Sequence, residues 1–232
     1  MKHFFILLIV ISITACSTSR GFNRDYLRNS LNSHKKEITD EQIKKALETK
    51  AELPELFKLA IYAELNSWQV HWDENDKKEL ESLEQKLKES NVVSEVIFLN
   101  SSMFEGDGLA AIRLAAARTG SDAVLVIHGA GSSDRYNNFW GATYFLMITP
   151  FFIPGTVSDG LFMLNASLWD VRYQYLYLSA EAEAKASQTG TAFHLEDSHV
   201  LAEAKSKAVV LLRKEIEEQL LSMHKAHKNK KK

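Results

Sequence analysis

The chain holds one cysteine, Cys16, among 232 residues, and with no second thiol an intramolecular disulfide is excluded. It lacks an excess of either charge: 28 Lys and Arg stand against 30 Asp and Glu, a formal net charge of −2. Such a balance gives no field suited to gripping nucleic acid, and no nucleic-acid partner is expected. The chain also lacks a transmembrane run, since the N-terminal apolar stretch falls short of the roughly 20 residues needed to cross a bilayer. No repeat of fixed period is visible. What is present is an ordinary globular composition, 45% hydrophobic and 25% charged, in a chain long enough for one domain with a proper core.

Signatures of catalysis and nucleotide binding are missing too. Gly129-Ala130-Gly131-Ser132-Ser133 follows a buried apolar run, where a phosphate-cradling loop would sit, but neither a third glycine followed by a helix nor a Walker lysine comes after it. Gly129 to Asn138 therefore reads as a turn-rich loop. Gly131-Ser132-Ser133-Asp134 is not the G-x-S-x-G elbow of a serine hydrolase, and His128 reads as the satisfied end of a strand. His194 and His199 bracket Glu196, yet a spacing of five puts them on different helix faces, unlike the i, i+4 pair of a zincin. Asp197 or Ser198 fits a helix start better. No catalytic residue, metal ligand or cofactor is expected.

The N-terminus carries the most specific signal. Lys2 and His3 form a basic start, Phe4 to Ile13 is apolar except for Ser12, and Ile13-Thr14-Ala15-Cys16 closes the run with small residues before a cysteine. This is the layout of a secretory signal, and its last four residues look like a bacterial lipobox, in which cleavage precedes the cysteine and lipid is attached to it. We read residues 1–15 as signal peptide and Cys16 as the lipidation site, leaving a mature chain of 217 residues. Lipidation would also remove the hazard of a lone thiol in an oxidising periplasm. Several acyl chains give lasting anchorage, since each buried CH₂ contributes roughly 0.8 kcal/mol and one chain alone is marginal. Ser17 stands where an aspartate would favour inner-membrane retention, which points to the outer membrane, periplasmic face.

Residues 16–38, polar and without sustained periodicity, read as lipidated N-terminus and tether. A single periplasmic α/β domain is expected over residues 39–223. Thr39-Asp40-Glu41-Gln42 matches a capping box and predicts a short helix to about Lys50. Alternation at Phe57, Leu59, Ile61 and Ala63 predicts the first strand. Asp76 with Glu79 opens a helix with an apolar stripe at Leu80, Leu83 and Leu87, and Val92 to Leu99 is the second strand. After a loop over Ser101 to Gly108, Asp107 caps a third helix, with Leu109, Ile112 and Ala116 on one face and Gly120 as its stop. Ala123 to Ile127 is then a strand buried on both faces. This β-α-β-α-β order predicts a parallel or mixed sheet.

Further on, Leu161 to Val171 and Tyr175 to Lys185 form a hairpin, with Leu176, Leu178, Ala180, Ala182 and Ala184 on its buried face. A helix over Glu196 to Met223, roughly 40 Å long, carries a stripe of Leu201, Ala204, Ala208, Leu212, Ile216 and Leu220 and should cover the antiparallel strands. The fold class is thus α/β (α+β mixed), with a mixed sheet of about five or six strands and a long C-terminal helix. Residues 224–232, with Lys225, Lys228, Lys230, Lys231 and Lys232, form a basic tail expected to be solvated and disordered.

Between the two halves lies an aromatic stretch, Trp140 to Ile153, followed by the Pro154-Gly155 break. A barrel strand would alternate apolar and polar residues over about ten positions, and this stretch does not. Composition favours a buried strand interrupted by proline. The alternative is a loop-borne apolar surface that docks on a partner or on lipid; Trp140 to Ile153 and the loop Gly129 to Asn138 are the expected contact surface, with Tyr136, Phe139, Trp140, Tyr144, Phe151 and Phe152 as its contact candidates.

The helix–strand unit Gly108 to Ile127 ending in Gly120-Ser121-Asp122-Ala123-Val124, the Ile153-Pro154-Gly155-Thr156 turn, and Ala166-Ser167-Leu168-Trp169-Asp170-Val171 leading into Leu176 to Ala184, together with the lipobox, resemble the rhombotail-type bacterial lipoproteins. More broadly, the order of elements is similar to the curli-secretion channel subunit and to the lipoprotein activators of penicillin-binding proteins. That resemblance implies binding or assembly and supplies no catalytic residue. The expected function is a non-enzymatic binding, adaptor or assembly module of the cell envelope, held to the outer membrane through Cys16 and meeting an envelope protein or further copies of itself. A homo-oligomeric export channel and an envelope enzyme are the rival readings.

Overall fold

The computed structural model describes residues 18–31, 39–50, 52–67 and 69–230; the expected signal peptide and Cys16 lie outside the described residues. The elements run α1 (Arg24–Leu31), α2 (Asp40–Glu48), β1 (Phe57–Asn66), α3 (Glu74–Glu89), β2 (Val93–Phe98), α4 (Gly108–Arg118), β3 (Ala123–Asn137), β4 (Thr156–Asp170), β5 (Leu176–Gly190) and α5 (Asp197–Lys230). The five strands form one mixed sheet in the order β2-β1-β3-β4-β5. β1 is parallel to β2 and β3, whereas β3–β4 and β4–β5 are antiparallel.

Strand composition decides which faces are covered. Ala123 to Ile127 are all at most 2% exposed, as a continuous apolar run between two helical layers requires. On one face Leu59, Ile61, Leu125, Ile127, Phe162 and Leu164 pack under α3 and α5. The predicted stripes supply the contacts: Leu80, Leu83 and Leu87 of α3, and Leu201 to Leu220 of α5, are buried there. On the other face α4 covers Ala60, Tyr62, Val124 and Val126 with Ile112, Ala115 and Ala116. Outer β5 alternates as the period-two pattern requires, with Leu178, Ala180, Ala184 and Ala186 buried and Ser179, Glu181, Glu183 and Lys185 exposed. Leu176 departs from it at 44% exposure, because the pairing register shifts between Leu168 and Trp169.

Five further differences from the sequence expectations have physical causes. Gly129 to Asn137 is strand, not loop, and β3 runs on to pair with the first half of β4. Its glycines mark a close approach: a Cβ on Gly131 would collide with the Phe162 ring and stand 2.8 Å from Leu201, so α5 lies tightly on this part of the sheet. Helix α3 begins earlier, capped by Asp73, whose carboxylate accepts from the Asn75 and Asp76 N–H groups while Asp76 reaches back to the Asp73 N–H in a capping box. Asp107 does occupy the N-cap position of α4, but makes no side-chain capping hydrogen bond. Within the tether stretch, residues 24–31 form α1, whose Leu27 is 1% exposed on Ala130, Leu161 and Met163. The basic tail is helical to Lys230 and exposed from Lys225 to Asn229, making α5 34 residues long, about 51 Å at 1.5 Å per residue.

One buried polar cluster ties the helices together. Lys205 of α5, 1% exposed, donates from Nζ to Asp76 Oδ2 at 2.5 Å, to the His71 carbonyl at 2.7 Å and to Asp73 Oδ2 at 2.8 Å. It fastens α5 to the start of α3.

Candidate functional site

Beyond Ala130 the parallel strand β1 stops, and β3, β4 and β5 continue alone as a three-stranded extension. The β3–β4 connection, residues 138–155, crosses the end of that extension. It is built from 3₁₀ turns at Phe139–Leu146 and Thr149–Phe151, not from the buried strand that its composition favoured. The reason lies in its register: the strands pair from Asn137 opposite Thr156, so the aromatic run is left outside the ladder.

The loop is closed by polar groups that turn inward. Asn138 accepts from the Trp140 N–H at 2.9 Å and donates to the Pro154 carbonyl at 3.2 Å. The Tyr144 hydroxyl donates to the Ile153 carbonyl at 3.0 Å and accepts from the Gly155 N–H at 2.9 Å. Thr143 donates to the Trp140 carbonyl and Thr149 to that of Thr143, at 2.7 and 2.6 Å. At the neck a Cβ on Gly155 would stand 2.6 Å from the Gly141 amide nitrogen, a contact that only glycine permits.

With its polar groups paired internally, the loop presents apolar side chains outward. Phe139 is 78% exposed, Trp140 58%, Met147 85% and Phe152 79%, and Leu146, Ile148 and Phe151 are exposed as well. Phe193, from the β5–α5 connection, stacks on Phe151 with ring centroids 4.1 Å apart and widens the patch. From Tyr136 to Ser158 no residue is charged.

Of the six candidates read from the sequence, Phe139, Trp140, Phe151 and Phe152 share this surface. Tyr144 is half-buried and serves as the loop's brace. Tyr136 is half-buried on β3, donating to Asp159 at 3.2 Å; burial first, and then the Asp159 carboxylate, push its phenol up. Leu146, Met147, Ile148 and Phe193 were not among the candidates. The long apolar run was a signal for the first three, while Phe193 is brought in by the β5–α5 turn, which no local pattern announces.

A second feature is polar. Beside α4 a hollow of about 790 Å³ opens over the second half of β1 and the first half of β3, lined by Tyr62, Glu64, Asp107, His128, Ser167 and Trp169 among others. His128 Nδ1 stands 3.9 Å from Glu64, and burial, then the Glu64 carboxylate, raise the Tyr62 phenol above its ordinary value. The Ser167 hydroxyl accepts from Trp169 Nε1 at 2.8 Å. His194 bonds to Thr191 and His199 lies in the first turn of α5; Asp197, at the helix start, accepts from Ser158 at 2.7 Å. Among the described residues no group of three His, Cys, Asp or Glu side chains is placed to hold a metal ion.

No family model matches the chain, and no curated protein matches it. Among solved structures it is similar to a neuraminyllactose-binding hemagglutinin homolog from Helicobacter pylori, at 12% identity over 80% of this chain and 96% of that one, with a TM-score of 0.40. It is also similar to a minor lipoprotein from Acinetobacter baumannii, at 11% identity over 70% and 90% of the two chains with a TM-score of 0.35. The C-terminal domain of LpoB from Salmonella enterica gives 11% identity over 70% and 98%, with a TM-score of 0.31. The likeness is loose throughout, and a bacterial lipoprotein stands among these structures.

Proposed function

We propose that this chain is a non-enzymatic binding, adaptor or assembly module of the bacterial envelope, anchored through lipid on Cys16 in the outer membrane and facing the periplasm. Its contact surface is the β3–β4 loop together with Phe193. The single observation that carries this reading is the loop's construction: hydrogen bonds close it from within, no residue from Tyr136 to Ser158 is charged, and Phe139, Trp140, Met147 and Phe152 are left outward at 58–85% exposure. Exposed apolar side chains gathered on one loop in this way mark a contact site.

The test is a photo-crosslinking side chain placed in the lipoprotein of intact cells, once at Phe152 and once at Tyr173, in the β4–β5 turn at the other end of the strands. Adducts at 152 and none at 173 are expected. Equal labelling of the two positions refutes the loop as the contact surface, and a mature chain without acyl groups on Cys16 refutes the anchoring.

A further inference from the structure

We propose that the occupant of the loop is the lipid bilayer itself: the β3–β4 tip inserts into the interface of the membrane that holds the acyl chains on Cys16. This deepens the function proposed above and rests on its lipidation of Cys16.

The geometry of the N-terminus carries the argument. Ser19 donates to Asp134 Oδ2 at 2.5 Å, and the Gly21 N–H bonds to the same oxygen at 2.9 Å. The chain is therefore pinned to β3 before α1 begins, and Leu27 and partly buried Phe22 hold it there on Ala130, Leu161 and Met163. Ser19 is three residues on from Cys16, a leash of at most about 11 Å. Asp134 is four residues from Asn138, where the loop starts, about 13 Å along a strand. In the other direction, Asp159 opposite Asp134 is eleven residues from Asp170 at the end of β4, about 36 Å away. The leash brings Cys16 to the loop's end of the molecule and cannot reach the other.

A short leash at that end leaves the loop beside the bilayer whatever else it meets. Its chemistry fits that neighbour. Apolar side chains buried at the interface add to the hold of the acyl chains in proportion to the area they bury, and an aromatic side chain with a polar edge such as Trp140 belongs at the headgroup level. Just below the tip, Arg20, between the two residues bonded to Asp134, is exposed, which suits anionic headgroups, whereas Arg135 is taken up by Asp197 and the Ala192 carbonyl. The wedge does not span: no helix among the described residues is long and apolar enough to cross a membrane.

The experiment uses the acylated lipoprotein in vesicles of phosphatidylethanolamine and phosphatidylglycerol. Because Cys16 is its only cysteine and is consumed by lipid, Met147→Cys, Phe152→Cys and Tyr173→Cys each accept a single nitroxide. Met147 and Phe152 are 85% and 79% exposed, so the labels disturb no buried packing. Labels at 147 and 152 are expected to be open to dissolved oxygen and shielded from an aqueous nickel chelate, with the reverse at 173. Three results overturn the proposal: chelate access at 147 and 152 equal to that at 173, dipolar broadening that shows a second copy covering the tip, or shielding that appears only after an envelope protein is added. The mass of the same samples separates the two failures. Acylated Cys16 with water-exposed labels refutes the insertion alone, while an unacylated chain refutes the anchoring reading as well.

Discussion

Replacing Lys205 by methionine tests the joint between α5 and α3. The substitution keeps an unbranched apolar stem in a site that is 1% exposed and deletes the ammonium. Asp76, also 1% exposed, is then a buried carboxylate whose Oδ1 has no partner even in the native protein. Removing one side of a buried pair costs about 3–5 kcal/mol, while Asp73, with a side chain 46% exposed, regains water and adds little. A loss of about 3–5 kcal/mol is therefore expected for Lys205→Met in urea denaturation of residues 16–232, a large part of the 5–15 kcal/mol typical of a domain. Lys205→Met with Asp76→Asn removes both charges and keeps an acceptor for the Asp73 N–H, so it should recover much of that loss. A single variant within about 1 kcal/mol of the parent, or a double variant no better than the single, refutes the reasoning. Acid provides an independent check. Partial burial alone would raise the Asp73 carboxyl, but the hydrogen bonds from Lys205 and from the Asp76 and Asn75 N–H groups outweigh it and hold the carboxyl below its ordinary value. Such a group adds stability above the unfolded pKa, near 3.9, that is lost as pH falls through the folded one. The parent should weaken on acidification below about pH 4, and Lys205→Met should show a shallower fall.

Two further outcomes follow from the loop and its support. Tyr144→Phe leaves every outward apolar side chain in place but removes the hydroxyl that joins Ile153 to Gly155; a cost of about 1 kcal/mol is expected in urea denaturation, and a change below about 0.3 kcal/mol refutes the bracing role. Leu27→Ala empties a fully buried site between α1 and the sheet and should cost about 2–5 kcal/mol in urea denaturation, whereas a change below about 0.5 kcal/mol would show α1 to be dispensable.

Periodicity made most of the fold legible. The stripes at Leu80, Leu83 and Leu87 and from Leu201 to Leu220 are buried as their spacing requires, and Ala123 to Ile127 is the doubly covered strand that its unbroken apolarity implies. Local chemistry misled where tertiary contact decides. Gly129 and Gly131 read as turn residues because glycine punctuates loops, but here they admit Phe162, Leu65 and the start of α5 against a strand. The aromatic stretch read as core because composition reports apolarity and not position; only the β3–β4 register leaves it outside. Lys205 was one of many helical lysines in the sequence, and its burial depends on a capping turn 129 residues away.

Helix α5 also sets a height. It starts beside the loop, where Asp197 meets Ser158 and Arg135, and ends beyond Gln219, which bonds to the Ser179 carbonyl near the opposite end of β5. Its about 51 Å length is several times the roughly 8 Å over which charges act through physiological salt. With the loop at the bilayer, Lys225 and Lys228 stand too far out to feel its headgroups. On the anchoring proposed above the helix becomes a mast, and whatever anionic material its lysines attract is met at a fixed distance from the membrane below.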